Sequence, residues 1–295
     1  MTDTIFKALS GFYYVEAEGE TVRCKARGRF RREKISPLVG DRVTISDAGD
    51  GTGIIDEILP RKNCFIRPPV ANIDQIIIVA SAAIPITAPF LIDRIAAIAE
   101  INDCEPIICV NKIDLKAGDE LRDIYSSAGF KTIMLCATDG TGIDELGEVM
   151  RGKISAMTGN SGVGKSSILN ALGGYDIQVG EVSEKLGRGR HTTRHVELYK
   201  LRSGGVVADT PGFSAFDPEA MELNDAEKLQ YAFRDFAPYI GKCRYTGCTH
   251  TKEAGCAVLE ALRAGEISES RHSSYLRLYE QAKKFKKWES KSSDM

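Results

Sequence analysis

The stretch Gly159-Asn160-Ser161-Gly162-Val163-Gly164-Lys165-Ser166, with Ser167 behind it, decides how this chain is read. A glycine, four residues and Gly-Lys-Ser form the phosphate-binding loop pattern, here between an apolar strand segment at 154–157 and a helical segment at 166–172. The chemistry needs these residue types. Glycines let backbone N–H groups turn inward around phosphates, Lys165 reaches the β and γ oxygens, and the Ser166 hydroxyl is a hard oxygen ligand for Mg²⁺. The bland alternative is a glycine-rich turn, and the strand–loop–helix context argues against it.

The base is read from Asn111-Lys112-Ile113-Asp114, at the end of the expected strand 106–110. A carboxylate such as Asp114 accepts from guanine N1–H and the N2 amine, whereas adenine offers an acceptor at N1 and no such amine. ATP would leave that carboxylate unpaired, so the pairing of the two motifs points to GTP and GDP. Cys136-Ala137-Thr138, after a strand at 131–135, is placed to buttress the guanine. Asp209-Thr210-Pro211-Gly212 follows a strand at 206–208, with Asp209 for a water-mediated Mg²⁺ contact and the Gly212 N–H for the γ-phosphate. Between the loops lies Gly187-Arg-Gly-Arg-His191-Thr192-Thr193, polar and glycine-rich, where a threonine can complete the Mg²⁺ shell.

The order of these pieces is unusual. Small GTPases present the phosphate loop first and the Asn-Lys-x-Asp segment late; here the guanine pieces come first. The chain therefore reads as circularly permuted, and the chain leaving Gly212 runs straight into the C-terminal segment. Phe213 stands where ordinary small GTPases hold a water-orienting glutamine and cannot orient water by hydrogen bonding. His191 is the candidate for that catalytic task, with Lys165 on the phosphates.

A second site is written in Cys243-x4-Cys248-x-His250-x5-Cys256. Three thiols and one imidazole at this spacing match a closed tetrahedral Zn²⁺ site, structural because protein fills all four positions. Buried free thiols or a redox pair would not explain the histidine between them. The other five cysteines (Cys24, Cys64, Cys104, Cys109, Cys136) read as small core residues in a reducing cytosol.

Working outward, 295 residues exceed what one core usually organises, so two or three domains are expected. Thirty-nine basic against 41 acidic residues exclude a globally basic nucleic-acid binder but not a local basic patch. The apolar run at 76–79 is too short to span a bilayer, and no leader is visible, so a cytoplasmic protein without a membrane partner is expected. Residues 1–65 carry short alternating segments separated by turns, which suit an OB-type barrel, with an SH3-like barrel fitting nearly as well. One segment, from 21 onward, places Arg23, Lys25, Arg27, Arg29 and Arg31 at period two, so a continuous strand would line up all five on one face. A solvated edge strand is the plain reading, and a phosphate-backbone contact the favoured one. From 66 to 215 strands alternate with helices, for instance at 88–101, implying a mostly parallel sheet. Residues 216–295 read as helical, ending in a basic helix at 271–295 with seven cations and three acids.

Taken together these motifs resemble the ribosome small-subunit-dependent GTPase A family of bacteria over essentially the whole chain. The resemblance rests on Asn111–Asp114 ahead of 159–167, on Gly189-Arg190-His191-Thr192-Thr193, on Asp209–Gly212 and on the Cys/His spacing. It implies an OB domain, a permuted GTPase domain and a zinc domain, and a monomeric late-acting assembly factor whose hydrolysis the small ribosomal subunit stimulates. It further implies that His191 replaces the missing glutamine and that Thr193 is the Mg²⁺ threonine. Arg194 departs from the family's run of three threonines and bears on switch dynamics. Two other readings stand beside it: a GTP-gated module whose partner is a protein, and a GTPase that delivers zinc, which a saturated four-ligand site argues against.

Overall fold

The computed structural model describes residues 3–17, 19–49, 51–66, 68–173, 196–209 and 225–292. It divides into two compact units. One comprises Met1–Gln75, Ile143–Thr158 and Lys165–Ala215, the other Ile76–Gly142, Gly159–Gly164 and Phe216–Met295. These boundaries cut the chain differently from the 1–65, 66–215 and 216–295 division expected from sequence texture.

The first unit begins with β1 (Asp3–Leu9), β2 (Phe12–Ala17), β3 (Glu20–Ala26), helix α1 (Gly28–Arg32), β4 (Arg42–Asp47) and β5 (Gly53–Ile58). Each strand turns at least one side chain fully inward, Ile5, Val15, Cys24, Val43 and Ile55, and Phe30 of α1 plugs the same core. The strands pair in the order β1-β2-β3-β5-β4, and β1 closes onto β4. All pairs are antiparallel except β3 with β5. A closed five-stranded barrel of this order, with its helix between β3 and β4, is the OB type, which decides between the two barrels left open by the sequence.

Two short strands, β6 (Cys64–Ile66) and β7 (Pro69–Ala71), follow the barrel. Cys64 is exposed, which corrects its reading as a core residue; Cys24, Cys104, Cys109 and Cys136 are buried as expected. The remaining strands are β8 (Gln75–Ser81), β9 (Glu105–Asn111), β10 (Lys131–Met134), β11 (Ile154–Thr158), β12 (Glu197–Lys200) and β13 (Val206–Asp209). In the first unit β11 runs parallel to β13, β13 antiparallel to β12, and β12 meets barrel strand β1 at Lys7 and Glu197, whose side chains form an ion pair at 2.8 Å.

In the second unit the strand order is β10-β9-β8, with β10 parallel to β9. Every residue of β8 is buried, as a strand covered on both faces requires. Helix α2 (Pro89–Ile101) starts with proline at its first turn and buries Ile92, Ile95, Ala96, Ile98 and Ala99. The C-terminal part contributes 3-10 turns at Leu229–Ala232 and Arg234–Phe236 and a helix at Ala257–Arg263. The long helix Glu269–Ser292 then packs on α2. Phe233, Phe236 and Tyr275 meet ring to ring at 4.9–5.3 Å, forming the core of this module. Arg271, one of the cations counted in the basic tail, is 1% exposed and lies between Asp93 and Asp235.

Candidate functional site

β11 ends at Thr158 and hands the chain to the phosphate loop, after which the helix Lys165–Ala171 begins. Two glycines are required by sterics. A Cβ on Gly159, whose φ is +145°, would lie 2.2 Å from the Val79 carbonyl oxygen, and one on Gly164, at φ +102°, would lie 2.3 Å from Asn111 Nδ2. The second clash marks a designed approach. Asn111 Nδ2 donates to the Val163 carbonyl at 2.8 Å, while its Oδ1 accepts from the Ala137 N–H at 3.3 Å. One buried carboxamide thus ties together the guanine motif, the Cys136–Ala137 segment and the phosphate loop. Three separated motifs become one rigid frame.

Lys112 Nζ donates to the Ile84 carbonyl at 2.9 Å, on the loop between β8 and α2. That loop is closed by mutual hydrogen bonds between Ser81 and Thr87, and a Cβ on Gly162 would meet Pro85 at 3.5 Å. Sequence reasoning missed this element, because nothing in Ser81-Ala-Ala-Ile-Pro-Ile-Thr87 carries a motif. Asp114 is exposed and Ile113 half-buried. Ser161 and Gly162 face solvent, with Asn160, Ser166 and Ser167 half-buried. Burial holds the Lys165 ammonium below the usual lysine range. A polyphosphate would oppose that shift by favouring the ammonium, as expected of a cation built to meet an anion. Asp209 ends β13, whose parallel pairing aligns Val206, Val207 and Ala208 with Ile154, Ser155 and Ala156 of β11. His191, Thr192, Thr193, Gly212 and Phe213 lie outside the described residues.

The Cys/His cluster is assembled. The ligand atoms of Cys243, Cys248, His250 and Cys256 all lie within 4.8 Å of one another. Cys243 Sγ lies 3.9 Å from Cys256 Sγ and 3.6 Å from His250 Nδ1, which is itself 3.4 Å from Cys256 Sγ. Thiolates about 2.3 Å from a tetrahedral centre lie about 3.8 Å apart, close to the separations among Cys243, His250 and Cys256, so these residues fit a zinc ion. The tautomer is set from outside. Gln230 donates its amide to the Glu227 carbonyl, leaving Oε1 to accept from His250 Nε2–H at 2.9 Å, so Nδ1 presents its lone pair to the thiols. Burial also holds His250 below the usual histidine range. Gln230 was not legible in the sequence, since it lies 13 positions before the first ligand in a 3-10 turn.

The five-cation face is not formed. β3 stops at Ala26, Arg27 caps the next element, and Arg29 and Arg31 lie on α1. Only Arg23 and Lys25 share the outer face of the strand. Arg27 pairs with Asp56 at 2.6 Å, and Arg29 donates to the Asp56 carbonyl.

A phosphate loop preceded by its guanine motif, framed by one asparagine on parallel strands, defines a circularly permuted P-loop GTPase. The RsgA GTPase family model matches residues 58–219, and the RsgA N-terminal domain model matches 3–55. The chain is 43% identical over 287 residues to the small ribosomal subunit biogenesis GTPase RsgA of Caldanaerobacter subterraneus subsp. tengcongensis, covering 96% of both chains. It is 44% identical to the protein of that name from Halalkalibacterium halodurans, covering 95% of this chain and 96% of that one. YjeQ from Thermotoga maritima superposes with a TM-score of 0.81 at 36% identity, over 95% of this chain and 98% of that one. YloQ, described as a circularly permuted GTPase, does so with 0.79 at 37%, over 96% and 95%. This chain belongs to the RsgA GTPase family. Its class implies Mg²⁺ with the nucleotide, and among the described residues no helix is long and apolar enough to cross a membrane.

Proposed function

We propose that this protein hydrolyses GTP in the late maturation of the small ribosomal subunit, binding its rRNA and being stimulated by it, as a cytoplasmic monomer. The observation that carries the GTPase part is the Asn111 bridge between guanine motif and phosphate loop. The ribosomal part is supported by relatives named for small-subunit biogenesis that match over nearly their whole length. The functional segments are the barrel at 1–65, the permuted GTPase at 66–215 and the zinc module at 216–295, in keeping with the two matched ranges.

Guanine is held by Asp114, with Asn111, Lys112, Ile113, Cys136 and Ala137 around it. The phosphates are held by backbone N–H groups of 159–164, by Lys165, Ser166 and Ser167, and by Gly212. Ser166 and Thr193 would hold Mg²⁺ directly and Asp209 through water; the bound ion neutralises charge building on the β and γ oxygens. His191 orients the attacking water from the switch segment in place of the residue that Phe213 displaces. Zn²⁺ on Cys243, Cys248, His250 and Cys256 staples the C-terminal module. Arg23, Lys25, Arg27, Arg29 and Arg31 supply positive charge toward RNA, from a strand, its cap and a helix rather than from one face.

GTP hydrolysis by the purified protein, alone and with small subunits, large subunits or unrelated RNA, tests this reading. Stimulation by small subunits only, lost in His191→Ala with GTP binding intact, is expected. Equal rates in every mixture would remove the ribosomal assignment and favour a protein-gated timer.

A further inference from the structure

Between β8 and α2 the chain makes a turn that touches both halves of the nucleotide site. Ser81, the last residue of β8, and Thr87, shortly before α2, hold its ends together. The Thr87 N–H donates to the Ser81 carbonyl at 2.9 Å, and the Ser81 N–H donates to Thr87 Oγ1 at 3.0 Å. Inside the turn Ser81 Oγ donates to the Ala83 carbonyl at 2.9 Å and accepts from the Ala83 N–H at 3.1 Å. Both hydroxyl residues are buried, Ser81 completely. The two isoleucines at the tip are not: Ile84 is 83% exposed and Ile86 63%. A turn whose largest apolar side chains stand in solvent gains little burial from its own shape, so the polar clasp fixes it.

The tip supports two motifs at once. Lys112 Nζ donates to the Ile84 carbonyl at 2.9 Å, and the Pro85 ring lies where a Cβ on Gly162 would meet it at 3.5 Å. One step of chain thus holds the guanine motif through Ile84 and backs the phosphate loop through Pro85. Lys112 itself has φ +65°, a left-handed backbone that a lysine adopts only under constraint. The backbone aims the side chain, and the carbonyl catches its end. A main-chain carbonyl carries no net charge, so the ammonium keeps its own. A loose lysine would have to freeze a rotamer-rich side chain when a nucleotide arrives; here the ordering is made beforehand.

We propose that Thr87 is a positioning residue for guanine-nucleotide binding: through its clasp with Ser81 it holds the Ile84 carbonyl where Lys112 is anchored, and so sets how long the nucleotide stays. The proposal rests on the guanine site assigned to Asn111–Asp114 and deepens it.

The test uses the full chain, zinc-loaded, and follows release of methylanthraniloyl-GDP by stopped flow. Thr87→Val keeps the shape but takes the acceptor from the buried Ser81 N–H, and should speed release about tenfold. Thr87→Ser keeps the hydroxyl and should release at the parental rate. Lys112→Met removes the ammonium, keeps the bulk, and should also speed release about tenfold. The double variant decides the route. Acting through Lys112, Thr87→Val should change the rate of Lys112→Met by about twofold at most; acting by general loosening, it would bring the total to about a hundredfold over the parent. Where Thr87→Val fails to fold, Ser81→Ala, which loosens the same turn from its other end, enters the same cycle. Parental release from Thr87→Val, fast release from Thr87→Ser, or independent effects in the double variant would each overturn the proposal. A parent that holds ADP as tightly as GDP would overturn the guanine site and this role with it. A parent selective for GDP whose variants act independently keeps the site and removes Thr87 from it.

Discussion

Arg271 donates from Nη1 to Asp93 Oδ1 at 2.8 Å across 178 residues of chain. Neither side chain is more than 1% exposed. The same guanidinium forks onto both oxygens of Asp235, at 2.6 and 3.2 Å, and lies 4.7 and 5.0 Å from the ring centroids of Phe233 and Phe130. Burial pushes Asp93 above the usual carboxylate range, and the Arg271 charge works against that shift. Removing the cation strands two buried acids. Arg271→Met should cost about 3–5 kcal/mol, lowering the melting temperature of the zinc-loaded protein by about 10 °C. A shift within a degree or two of the parent would show that the cluster contributes little.

Gly164 is the second point of leverage. An alanine there must displace Asn111 Nδ2 from 2.3 Å, breaking the bond to Val163. Gly164→Ala should lose at least tenfold in GTP affinity and lower the melting temperature by several degrees, because a buried hydrogen bond is broken and an alanine at this positive φ is strained. Fluorescent-nucleotide titration checks it; parental affinity would mean the loop opens freely.

Gln230 fixes the His250 tautomer, so Gln230→Ala should weaken zinc binding by about 10- to 100-fold. Competition with a colorimetric chelator measures this, and GTP affinity in the same variant serves as the internal control. An unchanged zinc affinity would leave Gln230 as a packing residue.

Lys165 gives a pH signature. Burial holds its free-state pKa below 10.5, and a bound triphosphate raises it, so the complex binds more protons than the free protein. Affinity is therefore full below the free-state pKa and falls as pH rises through the window up to the bound-state value. Calorimetry in buffers of different ionisation enthalpy should detect proton uptake on GTP binding in that window. Lys165→Met should show none, and equal uptake in both proteins would assign it elsewhere.

Most of the GTPase framework was legible before any coordinates. Strands expected at 106–110, 131–135 and 206–208 appear within a residue of Glu105–Asn111, Lys131–Met134 and Val206–Asp209. Glu105–Asn111 is an apolar run buried on both faces from Pro106 onward, whereas Lys131–Met134 lies at the sheet edge with Ile133 alone buried. Alternation failed where another signal won. The period-two cations continue through Arg31, but Gly28 breaks the strand and Phe30, 5% exposed, turns inward on a helical turn to close the barrel. Arg271 was counted with the tail's surface charge because its partners, Asp93 and Asp235, are remote in sequence. Strand β12 went unread for a similar reason: its four residues pair with β13 and β1, and nothing local marks them.

That short strand has a mechanical consequence. β12 opens four residues after Thr193, and the hairpin it forms with β13 closes at Asp209. The outer edge of this hairpin is bonded to the barrel through Lys7 and Glu197, and again through Lys200 and Glu16. The hairpin works as a tiller. Any sideways pull on it must either break its pairing with β1 or swing the barrel with it.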